Sequence, residues 1–176
     1  MVKEDKIKPL LTEEEIQDGI QKLADELNKR YENKEVYLIC VLKGSVMFMV
    51  DLAKRLTMPV KMEFVKLSSY GSGTTSSGKV VAVDITLPHL SGKNVLVIED
   101  IVDSGHTARY MIDYLSNRFK INDFKFCALL NKKVKRAVEA EADYYCFEVD
   151  NKFLVGYGLD KDGCYRNLPY IGYIEV

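Results

Sequence analysis

Two strand-length runs of apolar residues constrain the fold of this chain more than any other feature. Residues 36–42 (VYLICVL) and 94–98 (NVLVI) are nearly continuous apolar segments. Such runs are typical of strands that are covered on both faces, as in a parallel sheet. Helical patterns alternate with these strands along the chain. The alternation predicts an α/β fold with a doubly wound, mainly parallel sheet flanked by helices.

The first helix has a clear start signal. Thr12, with Glu15 three residues later, forms a capping box, and apolar residues then recur on one helical face. The other predicted elements are helices at residues 46–56 and about 108–118, strands at 60–67, 79–84 and 124–130, a long flexible loop at 68–78 and a polar turn at 99–107.

The bulk composition excludes several classes of protein. The 176 residues suggest one domain, and 47% hydrophobic with 29% charged residues is ordinary for a folded globular chain. The net charge of −1 gives no basic surplus, so we expect no nucleic-acid partner. No apolar run reaches the length of a membrane span, and the N-terminus lacks an apolar signal core. We therefore expect no membrane partner and a cytoplasmic location.

The cysteines point to a reducing compartment. None of the four forms a C-x-x-C pair, and Cys40 and Cys127 lie inside apolar runs, where a free thiol behaves as a small hydrophobic residue. We expect reduced thiols rather than disulfides or a zinc site. The full set is Cys40, Cys127, Cys146 and Cys164.

The segment most informative about function is residues 95–107, VLVIEDIVDSGHT. A parallel strand brings its loop to the carboxyl edge of the sheet, where open α/β folds bind ligands. The turn that follows, DSGHT at residues 103–107, offers backbone N–H groups, two hydroxyls and the start of a helix. Gly105 lets the backbone approach a ligand closely. These features predict a site for a phosphate monoester.

Glu99 and Asp100 stand side by side in this segment without a basic neighbour. Two exposed acids beside a phosphate site would repel the ligand unless they bind something else. Ribose hydroxyls and Mg²⁺ are the natural candidates, because Mg²⁺ bridges one or two carboxylates and substrate phosphates. The alternative is a solvated acidic turn followed by a helix cap, which the preceding apolar strand and the S-G-x-T turn make the weaker interpretation.

This segment resembles the phosphoribosyl-pyrophosphate signature of the type I phosphoribosyltransferases. Three further segments are similar to hypoxanthine-guanine phosphoribosyltransferases of the bacterial type. They are LKGS at residues 42–45, Ser69-Tyr70 at the head of the flexible loop, and KFLVGYGLD-x4-YRNLP at 152–169. The resemblance spans nearly the whole chain. It implies a single phosphoribosyltransferase domain over residues 1–176, with a core at roughly 35–135 and a small hood built from roughly 1–10 and 150–176.

The resemblance also implies an activity and a cofactor. The family carries out purine salvage: it transfers the 5-phosphoribosyl group from phosphoribosyl pyrophosphate to hypoxanthine or guanine, giving IMP or GMP plus pyrophosphate. It uses Mg²⁺, and it forms homodimers or homotetramers. The small-molecule partners expected for this chain are therefore phosphoribosyl pyrophosphate, hypoxanthine and guanine.

Site residues follow from the positions that match the family motifs. Asp103 matches the proposed general base beside purine N7, and a cis peptide bond is implied between Leu42 and Lys43. His106 occupies a variable position, so we expect it to act through its backbone N–H. The residues implied to bind phosphoribosyl pyrophosphate or the 5′-phosphate are Leu42, Lys43, Gly44, Glu99, Asp100, Asp103, Ser104, Gly105, His106, Thr107 and Arg166.

The base site is implied by another set of residues. Lys132 matches the lysine that donates to O6 of the purine, Phe153 the aromatic that stacks on the ring, and Leu154 a main-chain contact to the base edge. Asp160 matches an acid of the base site that also binds Mg²⁺, together with Glu99 and Asp100. Ser69 and Tyr70 match the head of a lid, which low apolar content would allow to open and close.

Two other functions fit parts of the sequence. One is a non-catalytic regulator that senses nucleotides and binds RNA, because fold alone does not settle function. Such a protein should show a basic surface patch, or should lack Asp103 or the Leu-Lys-Gly loop. Neither loss is seen, and the net charge is −1. The other is a phosphoribosyltransferase for xanthine or another base, which sequence separates poorly because some contacts to the base are main chain.

Overall fold

The computed structural model describes residues 6–70, 79–134 and 137–175, with the backbone alone at 68–70 and 79–82. The helices are α1 (Glu13–Arg30), α2 (Val46–Ala53) and α3 (His106–Arg118). The strands in this part of the chain are β1 (Ile7–Leu11), β2 (Val36–Leu42), β3 (Val60–Tyr70), β4 (Lys79–Ile85), β5 (Asn94–Val102), β6 (Asp123–Lys132), β7 (Tyr144–Val149), β8 (Phe153–Val155) and β9 (Ile171–Ile174).

Six strands form the central sheet, in the order β4-β3-β2-β5-β6-β7. All neighbouring pairs are parallel except β3 and β4, which are antiparallel. The apolar strand β2 lies between β3 and β5, with Leu38 opposite both Met62 and Leu96. The predicted α/β class with a mainly parallel sheet is confirmed.

Alternate residues of each central strand pack on opposite faces of the sheet, which explains the continuous apolar runs. Leu38 and Cys40 of β2 join the core beneath α1 and α2. Ile39 and Val41 join the core beneath α3. Because both faces are covered, nearly every position of β2 is buried, and the sheet is doubly wound as predicted.

Helix α1 is fixed at both of its ends. At the start, the predicted capping box is present: the Glu15 N–H donates to Thr12 Oγ1 at 3.1 Å, and the Thr12 N–H donates to Glu15 Oε2 at 2.8 Å. At the end, Arg30 and Tyr31 both donate to the carboxylate of Asp123, at the first residue of β6. These contacts hold α1 along the sheet.

A second sheet, β1-β9-β8, is built from the first and last parts of the chain. Ile7 pairs with Ile174, and Phe153 pairs with Ile174 from the other side, both in antiparallel fashion. The division into one domain with a core at 35–135 and a hood at 1–10 and 150–176 remains a prediction. No helix in the described ranges has the length and apolar content that crossing a membrane requires.

Three predicted boundaries are wrong by three or more residues. Helix α2 ends at Ala53 instead of residue 56, because the next backbone groups form tighter turns, with the Arg55 N–H bonded to Leu52 O. Strand β5 continues to Val102, because its parallel pairing with β6 extends through the acidic residues. Strand β3 continues to Tyr70, so the backbone of Ser69 is paired with β4 instead of belonging to a loop. Residues 71–78 of the predicted lid lie outside the described residues.

The four cysteines are free, as predicted. Cys40 and Cys127 are buried, while Cys146 is partly buried and Cys164 is exposed. Burial raises the pKa of the Cys40 thiol to about 11, which keeps it protonated.

Candidate active site

The predicted site residues lie where three neighbouring parallel strands end. Strand β2 ends at Leu42, β5 at Val102 and β6 at Lys132. Because these strands are parallel and adjacent, the residues that follow them meet at one edge of the sheet. Lys43, Asp103 and Lys132 are therefore brought to the same edge.

The turn between β5 and α3 is shaped for an anion. Gly105 caps the helix with a φ of +85°, a conformation that favours glycine. A Cβ at this position would also lie 2.9 Å from the carbonyl oxygen of Val138. Ser104 and Thr107 line a cavity of about 70 Å³ at this turn, and His106 is the first residue of α3. The turn thus presents hydroxyls and free N–H groups at a helix N-terminus.

Glu99 and Asp100 lie in strand β5 and are half-buried, so the prediction that they lie in an exposed turn is wrong. Burial, reinforced by Asp100, raises the pKa of Glu99 well above its ordinary value. Burial also raises the pKa of Asp100, although its hydrogen bond from the Ile101 N–H, 2.7 Å long, acts in the opposite sense. Glu99 Oε2 is buried and has no hydrogen-bond partner within the described structure.

The loop after β2 contains the expected cis peptide bond between Leu42 and Lys43. Ser45, which is fully buried, donates a hydrogen bond of 2.6 Å to Val41 O and closes the loop beneath. Gly44 lies directly against Asp100, so the loop after β2 and the acids of β5 are in contact.

Lys132 and Asp103 form an ion pair at this edge. Lys132 Nζ lies 2.7 Å from Asp103 Oδ2, and the lysine side chain is only 11% exposed, whereas the aspartate is 50% exposed. The two residues that the family resemblance places on neighbouring atoms of a purine are therefore already side by side.

The β1-β9-β8 sheet supplies the wall beside this pair. Phe153, the first residue of β8, is 39% exposed, and Leu154 after it is buried. Lys132, Phe153 and Tyr173 line a common groove of about 550 Å³. The aromatic ring predicted to stack on the base is thus available to a ligand next to Lys132.

Asp160 and Arg166 are paired with each other. Arg166 Nη2 lies 2.6 Å from Asp160 Oδ1, and Arg166 Nη1 donates to Gly158 O at 2.6 Å. The other oxygen of Asp160 accepts from the Gly163 N–H at 2.8 Å.

Within residues 6–70, 79–134 and 137–175, no three acidic, histidine or cysteine side chains are grouped to hold a metal ion. The predicted set Glu99, Asp100 and Asp160 therefore does not form a single cluster.

Comparison with known proteins identifies the family of this chain. Residues 7–162 match the model of the phosphoribosyl transferase domain. A hypoxanthine-guanine phosphoribosyltransferase of Streptococcus thermophilus is 42% identical over 175 residues, which cover 99% of this chain and 97% of that protein. The chain belongs to the hypoxanthine-guanine phosphoribosyltransferase family. The family resemblance of the sequence motifs is confirmed.

Solved structures of this family have the same fold. A hypoxanthine-guanine phosphoribosyltransferase from Bacillus anthracis superposes with a TM-score of 0.90 at 38% identity, over 98% of this chain and 100% of that chain. A hypoxanthine phosphoribosyltransferase from Staphylococcus aureus superposes with a TM-score of 0.89 at 40% identity, over 96% of this chain and 91% of that one.

Some relatives carry the hypoxanthine-guanine phosphoribosyltransferase unit within a longer protein. A bifunctional TilS/HprT protein of Listeria monocytogenes is 46% identical over 168 residues, or 96% of this chain. This chain spans about a quarter of the length of that relative, since the match covers 26% of it.

Sequence reasoning assigned no role to Gly158, which the structure places in contact with the loop after β2. A Cβ at Gly158 would lie 2.0 Å from Gly44 O, and Gly158 has a φ of +98°. The sequence feature that could have indicated this contact is G-Y-G at 156–158, in which both glycines have a positive φ. A glycine pair of this kind indicates close backbone approach, but it does not identify the partner.

Proposed function

We propose that this chain transfers the 5-phosphoribosyl group from phosphoribosyl pyrophosphate to hypoxanthine or guanine, giving IMP or GMP and pyrophosphate. The observation that carries the proposal is the Lys132–Asp103 pair at the carboxyl edge of the sheet. A 6-oxopurine carries O6 and N7 on one edge. Its O6 can accept a hydrogen bond from the Lys132 ammonium while the N7 side faces Asp103. The bound base thus replaces the ion pair with one hydrogen bond to each of the two side chains.

In this reaction we assign the proton of the purine to Asp103. The purine ring nitrogen forms a bond to C1 of the ribose, and the bond from C1 to pyrophosphate breaks. Pyrophosphate leaves with the electron pair of that bond. The purine gives up its proton to the Asp103 carboxylate, which is half exposed and within reach of a base bound at Lys132.

The remaining contacts to the base come from the hood. Phe153 stacks on the purine ring, a type of contact worth about 1–3 kcal/mol in nucleic-acid recognition. Its exposure in the groove that Lys132 also lines supports this role. The main chain of Leu154 contacts the edge of the base. Because every purine offers the same ring face, stacking adds affinity, and Lys132 selects the group at position 6.

The turn at residues 104–107 binds the 5′-phosphate. The hydroxyls of Ser104 and Thr107 and the N–H groups at the start of α3 are its donors, His106 contributing through its backbone. Helix N-termini attract anions because their first N–H groups lack partners within the helix. This mode of binding suits a chain with a net charge of −1.

The residues present fit Mg²⁺. Glu99 Oε2 is a buried oxygen that lacks a partner in the described structure, and burial raises the pKa of both Glu99 and Asp100. A cation at this pair would favour the ionised carboxylates. When bound, Mg²⁺ neutralises the developing charge of the pyrophosphate leaving group. We propose that Glu99 and Asp100 hold it beside the ribose hydroxyls and that Asp160 serves a second ion.

Pyrophosphate lies, in this proposal, between the loop after β2 and Arg166. In this proposal, backbone N–H groups of residues 43–45 donate to the ligand. Gly44 leaves room for the loop against Asp100. Arg166 offers a guanidinium that is 30% exposed and already held by Gly158 O.

The proposal is tested by a spectrophotometric assay of nucleotide formation with phosphoribosyl pyrophosphate, Mg²⁺ and a panel of bases that includes hypoxanthine, guanine, xanthine and adenine. We expect turnover with hypoxanthine and guanine, its loss in excess chelator and its return on addition of Mg²⁺. Preference for xanthine, or turnover in excess chelator, would contradict the substrate or the metal assignment. RNA binding without turnover of any base would support the regulator instead.

We also propose that the chain forms a homodimer or homotetramer, that it works in the cytoplasm, and that residues 1–176 act as one domain with a core and a hood. The family resemblance supports each of these statements. Light scattering coupled to gel filtration tests the assembly, and a single cooperative unfolding transition tests the single domain.

A further inference from the structure

Tyr157 occupies an unusual backbone position in the segment that leads to Asp160 and Arg166. Its φ is +48°, in the left-handed region that favours glycine, and it stands between two glycines that also have positive φ. Its N–H donates to Leu168 O at 2.9 Å, and its side chain is buried. A large residue is held in this conformation because contacts elsewhere fix it.

The contact that fixes the side chain is a hydrogen bond to α2. The Tyr157 hydroxyl donates to Asp51 Oδ2 at 2.6 Å. Burial raises the pKa of Tyr157, so the hydroxyl stays a donor. Burial opposes ionisation of Asp51, but the hydrogen bonds from Tyr157 and Gln17, together with the nearby Lys54, outweigh it and lower the pKa of Asp51. The pair is therefore a charge-assisted hydrogen bond between the last third of the chain and α2.

Asp51 is itself held from two helices. Gln17 of α1 donates to Asp51 Oδ2 at 3.1 Å, and Arg55 donates both to Asp51 O and to Gln17 Oε1, each at 2.8 Å. The carboxylate is therefore a fixed acceptor, and Tyr157 is located relative to α1 and α2 together.

The same helix carries the loop with the cis peptide bond at its start. Gly44 precedes α2 and packs against Gly158, the residue after Tyr157. Gly158 in turn accepts from the Arg166 side chain, and its N–H donates to Arg166 O at 2.9 Å. Contacts at Gly44 and at Asp51 thus hold the 157–166 segment to α2 at two separate points.

We propose that Asp51 and Tyr157 are positioning residues for the pyrophosphate end of the site, which hold Gly158 and Arg166 against the loop at Leu42–Gly44. Neither side chain contacts substrate in this proposal. Their effect reaches the ligand through Arg166 and through the backbone at Gly44. The inference rests on the proposed function, in which this region binds pyrophosphate.

The test is Tyr157→Phe, with Tyr31→Phe as a matched control. Tyr31 is also buried, and its hydroxyl donates to an aspartate, Asp123 Oδ2, at 2.8 Å. That bond lies at the start of β6, at the opposite edge of the sheet from the site. Both variants remove one hydroxyl from one tyrosine–aspartate bond, so a general loss of stability should be similar in the two.

We expect Tyr157→Phe to raise the KM for phosphoribosyl pyrophosphate about tenfold, equivalent to about 1.4 kcal/mol, and to weaken Mg²⁺-pyrophosphate binding equally in calorimetry. The KM for hypoxanthine should stay within about twofold, as should every constant of Tyr31→Phe. Asp51→Asn should also raise the KM for phosphoribosyl pyrophosphate and weaken the binding of Mg²⁺-pyrophosphate. This variant replaces Tyr157→Phe in the test if Tyr157→Phe does not fold.

The outcomes separate the two proposals. A purified protein that binds pyrophosphate but turns over no base overturns the proposed function, and the affinity of Tyr157→Phe for pyrophosphate then decides the positioning role alone. Unchanged pyrophosphate affinity in Tyr157→Phe and Asp51→Asn, or an equal change in Tyr31→Phe, overturns the positioning role. A wild-type protein that binds no pyrophosphate overturns both.

Discussion

The carboxylate of Asp100 lies against the backbone of Gly44, so closely that a Cβ at residue 44 would be 1.5 Å from Asp100 Oδ2. Gly44 follows β2 and Asp100 lies in β5, the adjacent parallel strand. The loop proposed to bind pyrophosphate and the acids proposed to bind Mg²⁺ therefore share one contact. Any side chain at residue 44 must displace one of them.

We predict that Gly44→Ala lowers kcat/KM for phosphoribosyl pyrophosphate by about 100-fold, since a displacement of about 1 Å in a catalytic site can cost that much. Steady-state kinetics measures the effect, and thermal unfolding checks that the variant folds. Gly92→Ala is the control: Gly92 has a φ of +75° but no atom near its Cβ position, so this change strains the backbone away from the site. Equal kinetic losses in the two variants would show that the contact with Asp100 is unimportant.

We predict that Asp103→Asn lowers the rate of nucleotide formation by about 10²–10⁴, the usual range for loss of an acid–base group. The amide oxygen can still accept from Lys132, so the lysine keeps its partner while the proton acceptor is lost. The KM for phosphoribosyl pyrophosphate should change little. Asp113→Asn, which breaks an exposed ion pair on α3, should leave the rate unchanged. A rate for Asp103→Asn close to that of wild type would mean that another group takes the proton.

We predict that the protein rejects adenine and that Lys132→Ala weakens this rejection. Adenine carries an amino group at position 6, so two donors would face each other at the Lys132 ammonium. Sites that hydrogen-bond one group can discriminate against a mismatched analogue by roughly 10⁴–10⁵. The measurement is kcat/KM for hypoxanthine, guanine and adenine in both proteins. Lys133→Ala, which removes the neighbouring lysine paired with Glu148, should keep the wild-type ratio. The same ratio in Lys132→Ala would disprove the assignment of Lys132.

We predict that Glu99→Gln stabilises the ligand-free protein near neutral pH while it abolishes the use of Mg²⁺. Because burial raises the pKa of Glu99, ionising it costs more in the folded protein than in the unfolded chain. This cost is absent below the ordinary pKa of 4.5 and grows as the pH rises above it. The gain in Tm should therefore shrink toward about pH 4, each kcal/mol being worth about 2–4 °C.

The control for the charge at residue 99 is Glu32→Gln, at an exposed position after α1. It should leave the Tm close to that of wild type at each pH, because an exposed carboxyl group is solvated in both states. A Tm for Glu99→Gln that lies below the wild-type value near neutral pH would mean that the carboxylate is already stabilised in the folded protein.

Much of the central sheet could be predicted from local patterns. The apolar runs of β2 and β5 predicted strands covered on both faces, because alternate residues of a doubly covered strand all meet apolar neighbours. The full length of β5 could not be predicted in this way. Its apolar run is interrupted by Glu99 and Asp100, and the residues from there to Val102 are kept in the strand by pairing with β6, as between Ile101 and Leu130.

The site was predicted less completely than the sheet. The turn at Asp103–Thr107 has its own chemical pattern of glycine and hydroxyl residues, whereas the cis bond at Leu42–Lys43 followed only from the family resemblance. The Tyr157–Asp51 bond joins residues 106 positions apart, and neither residue type indicates the other. The partial burial of Glu99, with its Oε2 enclosed, was missed because an acidic pair suggests solvent, and only the packing against neighbouring strands shields that oxygen from water.

The pairing of β1 with β9 has a consequence for the order in which the molecule forms. The Lys8–Glu175 contact beside this pair closes a loop between residues 167 positions apart, and loop closure costs entropy that shorter contacts in the central sheet do not. In the part of the chain that the structure describes, strand β8, which carries Phe153, pairs with β9 alone. We expect the β1-β9-β8 sheet to form last during folding. The turn proposed to bind the 5′-phosphate would then form before the aromatic wall of the proposed base site. A partly folded chain would therefore bind an anion before it could select a base.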